Sequence, residues 1–145
     1  MRIAAVDFTK TREIELVGVV IVDEKELKEV RGLRPKHTRE FGGRRRKTYL
    51  KAARKKIRKI KSIGNQKIFL NKEKALSFVI ANISPGDTVI CDDSLFGYFQ
   101  KRLPRFGVNV VKESAVKRMS DYRALCNLVD TLLRLEIEKY KRKGP

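Results

Sequence analysis

Two apolar runs separated by four polar residues constrain the topology of this chain more than any other feature. Residues 2–8 read RIAAVDF and residues 13–23 read EIELVGVVIVD, with TKTR between them. β-Branched and apolar residues dominate both runs, which predicts two buried strands. Four residues are too few for a crossover, so the two strands must pair antiparallel. In the second strand Ile14, Leu16 and Gly18 fall on one face.

The second half of the chain alternates. Asn71 caps a predicted helix over residues 72–83 with Leu76, Val79, Ile80 and Ile83 on one face. Residues 88–92 (TVICD) form a short buried strand, followed by a helix (SLFGYFQKRL) capped by Asp93 or Ser94 and closed at Pro104. Residues 107–111 (GVNVV) supply another strand. Ser120 then caps a long last helix carrying Leu125, Leu128, Val129, Leu132, Leu135 and Ile137 at helical spacing, before a basic, frayed tail, KYKRKGP. Residues 28–33 (KEVRGL) and 66–70 (QKIFL) both qualify as a third strand, and the sequence leaves the choice open. Each crossover helix joins parallel strands, so the expectation is an α/β fold with one mixed sheet flanked by helices.

Residues 31–61 break this pattern with fifteen Lys and Arg against one acid, Glu40, or fourteen of the chain's formal net charge of +18. Gly42-Gly43 followed by Arg44, Arg45, Arg46 and Lys47 reads as an exposed loop. Residues 48–60 read as a helix with a narrow apolar stripe of Leu50, Ala53, Ile57 and Ile60. Lys51, Arg54, Lys55, Lys56, Arg58 and Lys59 fill the rest of its circumference. Like charges four residues apart destabilise a free helix, and a bound polyanion removes that penalty. Arg34, Lys36, His37 and Arg39 complete the candidate nucleic-acid contacts, since guanidinium groups grip phosphate bidentately. Phe41 and Tyr49 flank the RRRK run and either stack on bases or pack the insertion onto the domain.

At 145 residues the chain suits a single domain, residues 1–145, with a basic insertion at 31–62. Abundant Lys, Arg and Glu with few Asn and Gln is a pattern of proteins from hot-growing organisms. Asp7 comes too early for the apolar core of a secretory leader, and no apolar run is long enough to cross a bilayer. Cys91 and Cys126 lack a CxxC partner and read as small hydrophobes in a reducing, cytoplasmic setting. Two Cys and one His do not make a zinc site, and nucleotide-binding glycine motifs and helix-turn-helix signatures are missing. The helix over 48–60 carries too little bulky apolar surface for stable membrane insertion.

The element order, with three of its acids, resembles the ribonuclease H-like fold, the family of ribonuclease H, RuvC-type resolvases and integrases. That resemblance implies carboxylates on the first strand, the fourth strand and the last helix, converging to hold two Mg²⁺ or Mn²⁺ ions for phosphodiester cleavage. Here it points to Asp7 in AAVDFT, Asp92 in TVICDD with Asp93 beside it, and Asp121 in MSDYRAL. Glu73, early in the first crossover helix, matches a fourth carboxylate. Two features depart from the family: Ala124 stands where RuvC-type enzymes have a further Asp, and no His lies near Asp121. Each acid also has an ordinary structural use, Asp92 and Asp93 as helix caps and Asp121 in a helix first turn. Asp7 is the hardest to explain that way, because an acid inside an apolar strand needs a partner.

Two functions follow. The favoured one is binding of structured RNA without a cofactor, as a ribosome-associated protein whose basic arm resembles the extensions with which ribosomal proteins enter rRNA, beside neighbouring ribosomal proteins. The alternative is a divalent-metal-dependent nuclease acting on branched DNA, RNA–DNA hybrid or RNA. Both require the basic segment to hold phosphates, so affinity for nucleic acid should fall steeply with salt. Titrations at stepped NaCl concentrations check this: a flat dependence, or affinity unchanged after deletion of residues 44–47, excludes the segment as the binding element.

Overall fold

The computed structural model describes residues 1–38 and 41–143, with side chains through residue 140, and Arg39 lies outside that range. Its opening pair is the expected hairpin. Strand β1 (Arg2–Lys10) runs antiparallel to β2 (Glu15–Asp23), with Ile3 opposite Val22, Asp7 opposite Gly18 and Thr9 opposite Leu16. The turn is tight, Thr11 N donating to Ile14 O at 2.8 Å, so β2 starts just after Ile14.

Helix α1 (Leu27–Gly32) occupies one of the two candidates for the third strand. Leu27 and Val30, three apart, are both buried, as one face of a helix requires. Beyond the basic segment the chain enters β3 (Asn65–Phe69), antiparallel to β2, so the alternative placement is the one adopted. Glu26 links the two regions, its carboxylate accepting from Asp23 N at 3.0 Å and Gly64 N at 3.1 Å. Gly64 itself has φ +59°, and a Cβ there would lie 2.3 Å from Ile21 O. Only glycine fits that corner.

The basic segment folds as α2 (Gly43–Lys55) and α3 (Ile57–Lys61). GGRRRK is thus the first turn of a helix where a loop was expected. Gly42 is the extended N-cap residue, and Arg and Lys are good helix formers when the apolar stripe behind them finds a partner. Leu50, Ala53 and Ile60 are buried and Ile57 is half-buried. The remaining elements are α4 (Lys72–Asn82), β4 (Thr88–Cys91), α5 (Asp93–Arg102), β5 (Asn109–Lys112) and α6 (Asp121–Lys143). Asn71 Oδ1 accepts from Lys74 N at 2.8 Å and Ser120 Oγ from Arg123 N at 3.1 Å, as their capping positions predict. The cap of α5 is Asp92. The expected frayed tail continues as helix to Lys143.

The sheet order is β3-β2-β1-β4-β5, with β1–β4 and β4–β5 parallel. Both faces are covered. Ile3, Ala5, Leu16, Val20, Val22 and Ile90 pack against α1, α2, α3 and α6, while Ala4, Val6, Val17, Val19, Ile21 and Val89 pack against α4 and α5. This double burial explains why β1 and β2 read as nearly continuous apolar runs.

Helix α6 packs directly on Gly18, where an added Cβ would lie 3.0 Å from Leu133 Cγ and 3.2 Å from Val129 Cγ1. Gly18→Ala should therefore destabilise by roughly 1–3 kcal/mol through overpacking. Gly97→Ala in α5, where an added Cβ meets nothing within 4 Å, should stabilise by about 0.4–1 kcal/mol. Urea midpoints of the two variants check the contrast. An unchanged midpoint for Gly18→Ala contradicts the tight seat of α6.

Candidate metal centre

Three residues stand side by side in register across the parallel half of the sheet: Val6 in β1, Cys91 in β4 and Lys112 in β5. The next residue along each strand is an acid, namely Asp7, Asp92 and Glu113. Ile3 and Ala5 face α6, so the alternation of side chains puts Asp7 on that face too, and Ile90 does the same for Asp92. The three carboxylates offer oxygens that all lie within 4.8 Å of one another. Carboxyl ends of adjacent parallel strands are where open α/β sheets form their binding crevices.

Burial and mutual repulsion dominate the electrostatics. Asp7 is 6% exposed and its carboxyl titrates well above the usual range. Burial is the main cause and the Glu113 charge the next, with Asp130 and Asp92 adding to it. The hydrogen bond that Asp7 Oδ1 accepts from Phe8 N at 2.8 Å opposes them. Glu113 is raised as well, by burial and by Asp92, with His37 and Arg123 pulling the other way. Among the described residues its Oε1 is buried with no hydrogen-bond partner, and Arg123 Nη1 stands 3.7 Å away. An orphaned carboxylate oxygen inside a like-charged group fits a hard divalent cation, which takes oxygen ligands and relieves the repulsion. The chain therefore has the donor set for Mg²⁺ or Mn²⁺.

Two further acids stand near this group. Asp93, just beyond Asp92, is exposed, accepts from Ser114 N at 3.1 Å and is held below its ordinary value by Ser114. Asp130, 7% exposed, comes from α6. Val129 and Leu133 seat on Gly18 opposite Asp7, which carries Asp130 close enough to raise both Asp7 and Glu113. Asp130 Oδ2 accepts from Thr38 N and Thr38 Oγ1, both at 2.9 Å, and Oδ1 lies 3.8 Å from His37 Nε2.

The fold thus gathers Asp7 and Asp92, two of the acids singled out from sequence, and adds Glu113. Asp92 keeps its structural use too, its Oδ2 accepting from Ser94 N at 2.9 Å and from the Ser94 hydroxyl. Asp121 lies in the first turn of α6, paired with Arg31 at 3.2 Å, and Glu73 is exposed on α4. Neither belongs to the group of three. Glu113 carried a readable signal: its strand pairs with TVIC and continues to Lys112, so the acid follows β5 as Asp92 follows β4. Cys91 and Cys126 are buried, reduced, and pushed up by that burial, so they behave as packing residues.

No protein-family model matches the chain, and no curated protein matches it. Among solved structures, the ribonuclease H2 from Pyrococcus horikoshii OT3 superimposes with a TM-score of 0.63 over 99% of this chain and 77% of that one, at 19% identity. The chain has the ribonuclease H-like fold. At that identity the likeness speaks for architecture, and the chemistry rests on the residues themselves.

Among the described residues the basic segment presents Arg34, Lys36, Arg44, Arg45, Lys47, Lys51, Lys55, Lys56, Arg58 and Lys59 to solvent. Arg54 pairs with Glu138 at 3.3 Å, and Arg46 Nε donates to Thr38 O at 3.2 Å. Tyr49 is structural: its Oη accepts from Lys36 N at 2.9 Å and bonds Thr131 Oγ1 at 2.8 Å, and its ring tilts against Phe41 with centroids 5.5 Å apart. No helix among the described residues is long and apolar enough to cross a membrane.

An acid whose native pKa is raised binds its proton more tightly folded than unfolded. Its contribution is fully present below the unfolded value of 3.8 and is lost as pH rises through the raised folded value. Asp7→Asn should therefore raise the metal-free Tm at neutral pH, by roughly 3 °C per 1 kcal/mol relieved. The gain should shrink as pH falls toward the ordinary carboxyl range. Mn²⁺ should raise the Tm of the wild type and leave that of Asp7→Asn nearly unmoved. Thermal melts between mildly acidic and neutral pH, with EDTA or Mn²⁺, read all three effects.

Proposed function

We propose that this chain is a divalent-metal-dependent nuclease of the ribonuclease H-like class, with nucleic acid, an RNA–DNA hybrid first among the candidates, as its substrate. The observation that carries the reading is the set of Asp7, Asp92 and Glu113, each directly following one of the laterally matched residues Val6, Cys91 and Lys112 of three parallel strands. A structural RNA-binding protein has no use for three repelling carboxylates with an orphaned oxygen among them, since each costs stability in the metal-free fold. The likeness to ribonuclease H2 supports the same order of preference, with ribosomal RNA binding now second.

In this reading Asp7, Asp92 and Glu113 hold the ions. When bound, Mg²⁺ or Mn²⁺ would supply charge neutralisation of the phosphodiester and a more acidic attacking water. Arg123 positions Glu113, fixed by donating from Nη2 to Glu113 O at 2.9 Å and Val116 O at 2.7 Å. Asp130, spent on Thr38, acts through its field rather than as a ligand. The exposed cations of α2 and α3 hold the sugar–phosphate backbone. Asp93, Asp121 and Glu73 take no part in holding the ions.

Asp7→Asn, Asp92→Asn and Glu113→Gln should each lower Mg²⁺- or Mn²⁺-dependent cleavage by at least about 100-fold. Each should leave affinity for the substrate in EDTA nearly unchanged. The panel is RNA–DNA hybrid, duplex RNA and branched DNA, all with the full chain. No divalent-dependent cleavage of any of them removes the nuclease reading, and sedimentation of the chain with a ribosomal subunit would then favour the RNA-binding one.

A further inference from the structure

A cleft of about 660 Å³ opens between the loop after α1 and the start of α6, lined by Arg31, Arg34, Lys36, Arg118 and Arg123 among others. Two of these cations are already neutralised: Arg31 pairs with Asp121 and Arg123 with Glu113. Among the described residues, no hydrogen bond or ion pair engages the side chains of Arg34, Lys36 or Arg118. Three unsatisfied cations facing one concavity repel one another, and a concave wall focuses their field on whatever anion enters.

The loop that carries two of them is held rigidly, although it has no regular structure. Thr38 is fixed twice to Asp130, Lys36 N donates to Tyr49 Oη, and Asn127 Nδ2 donates to Pro35 O at 3.2 Å. Thr131 Oγ1 reaches Lys36 O at 3.4 Å. The backbone is also held in an uncommon conformation on both walls. Arg34 has φ +50° and Met119 φ +59°, and the Met119 side chain is 87% exposed at the rim. Left-handed non-glycine residues persist only where the surroundings over-determine them. The backbone that carries Arg34 and Lys36 is therefore set before any ligand arrives.

Arg123 places the cleft relative to the acids. Arg123 lines the cleft, and its Nη1 stands 3.7 Å from Glu113 Oε1, so one residue borders both sites. We propose that this cleft is a phosphate subsite that grips one backbone phosphate of a bound nucleic acid, adjoining the phosphate presented to Asp7, Asp92 and Glu113. The proposal rests on the nucleic-acid reading above and adds to it a fixed seat, distinct from the diffuse attraction of α2 and α3.

The test compares the full wild-type chain with an Arg34→Ala/Arg118→Ala variant, both binding a short RNA–DNA hybrid in EDTA at stepped salt. A second variant, Lys51→Ala/Lys55→Ala, removes equal charge from the exposed side of α2. The cleft variant should lose about 10-fold or more in affinity and flatten the salt slope by about 1. The α2 variant should lose less. Single methylphosphonates, which neutralise one phosphate each, are then walked along both strands. One position should weaken wild-type binding and leave the cleft variant unaffected. Equal losses from the two variants, or no position at which the methylphosphonate effect depends on the cleft, overturn the proposal. The scan is independent of turnover. A chain that shows the discriminating position and cuts nothing keeps the subsite and loses the nuclease reading. A chain that cuts without such a position does the reverse.

Discussion

Repulsion among carboxylates is what the rest of this structure has to contain. Asp7, Asp92 and Glu113 follow laterally matched residues of three adjacent parallel strands, and Asp130 approaches from the helix above. In isolation such a group would spread apart or take up protons. It is held together because the strands behind it are locked in register and sandwiched by apolar layers on both faces. The stabilisation comes from Ile3, Val20, Val22, Leu125 and Leu128 on one side and from Val19, Val79, Val89 and Phe99 on the other. None of these residues touches substrate in the proposed reaction, yet they set the spacing of the acids.

Much of that frame was legible in the sequence, and the reasons are physical. The hairpin follows from a four-residue gap, and the parallel strands from the helices between them. The third strand was ambiguous because KEVRGL and QKIFL are both short and amphipathic. What separates them is tertiary: Glu26 closes the corner at Gly64, which turns the chain into β3. GGRRRK reads as a loop because paired glycines and dense like charge mask the helix propensity of Arg and Lys. The buried stripe of Leu50 and Ala53 reverses that balance.

The candidate site was half legible. Asp7 stood out as an acid in an apolar strand and Asp92 as one at a strand end. Glu113 does not, because the apolar pattern of β5 stops at Val111, two residues before it, and the resemblance points to the last helix for the remaining carboxylate. The last helix does bring an acid toward the group, but it is Asp130, nine residues beyond Asp121. Gly18 explains the difference. Where the sheet lacks a side chain, α6 can approach, and that lies well past its first turn.

The doubled bond from Thr38 to Asp130 ties the cationic loop to the same helix that overhangs the acids. Positive and negative parts of this molecule are therefore fastened to one helix. An extended polyanion meeting them encounters a stencil whose holes are already cut, and little of its binding energy is dissipated in arranging the protein.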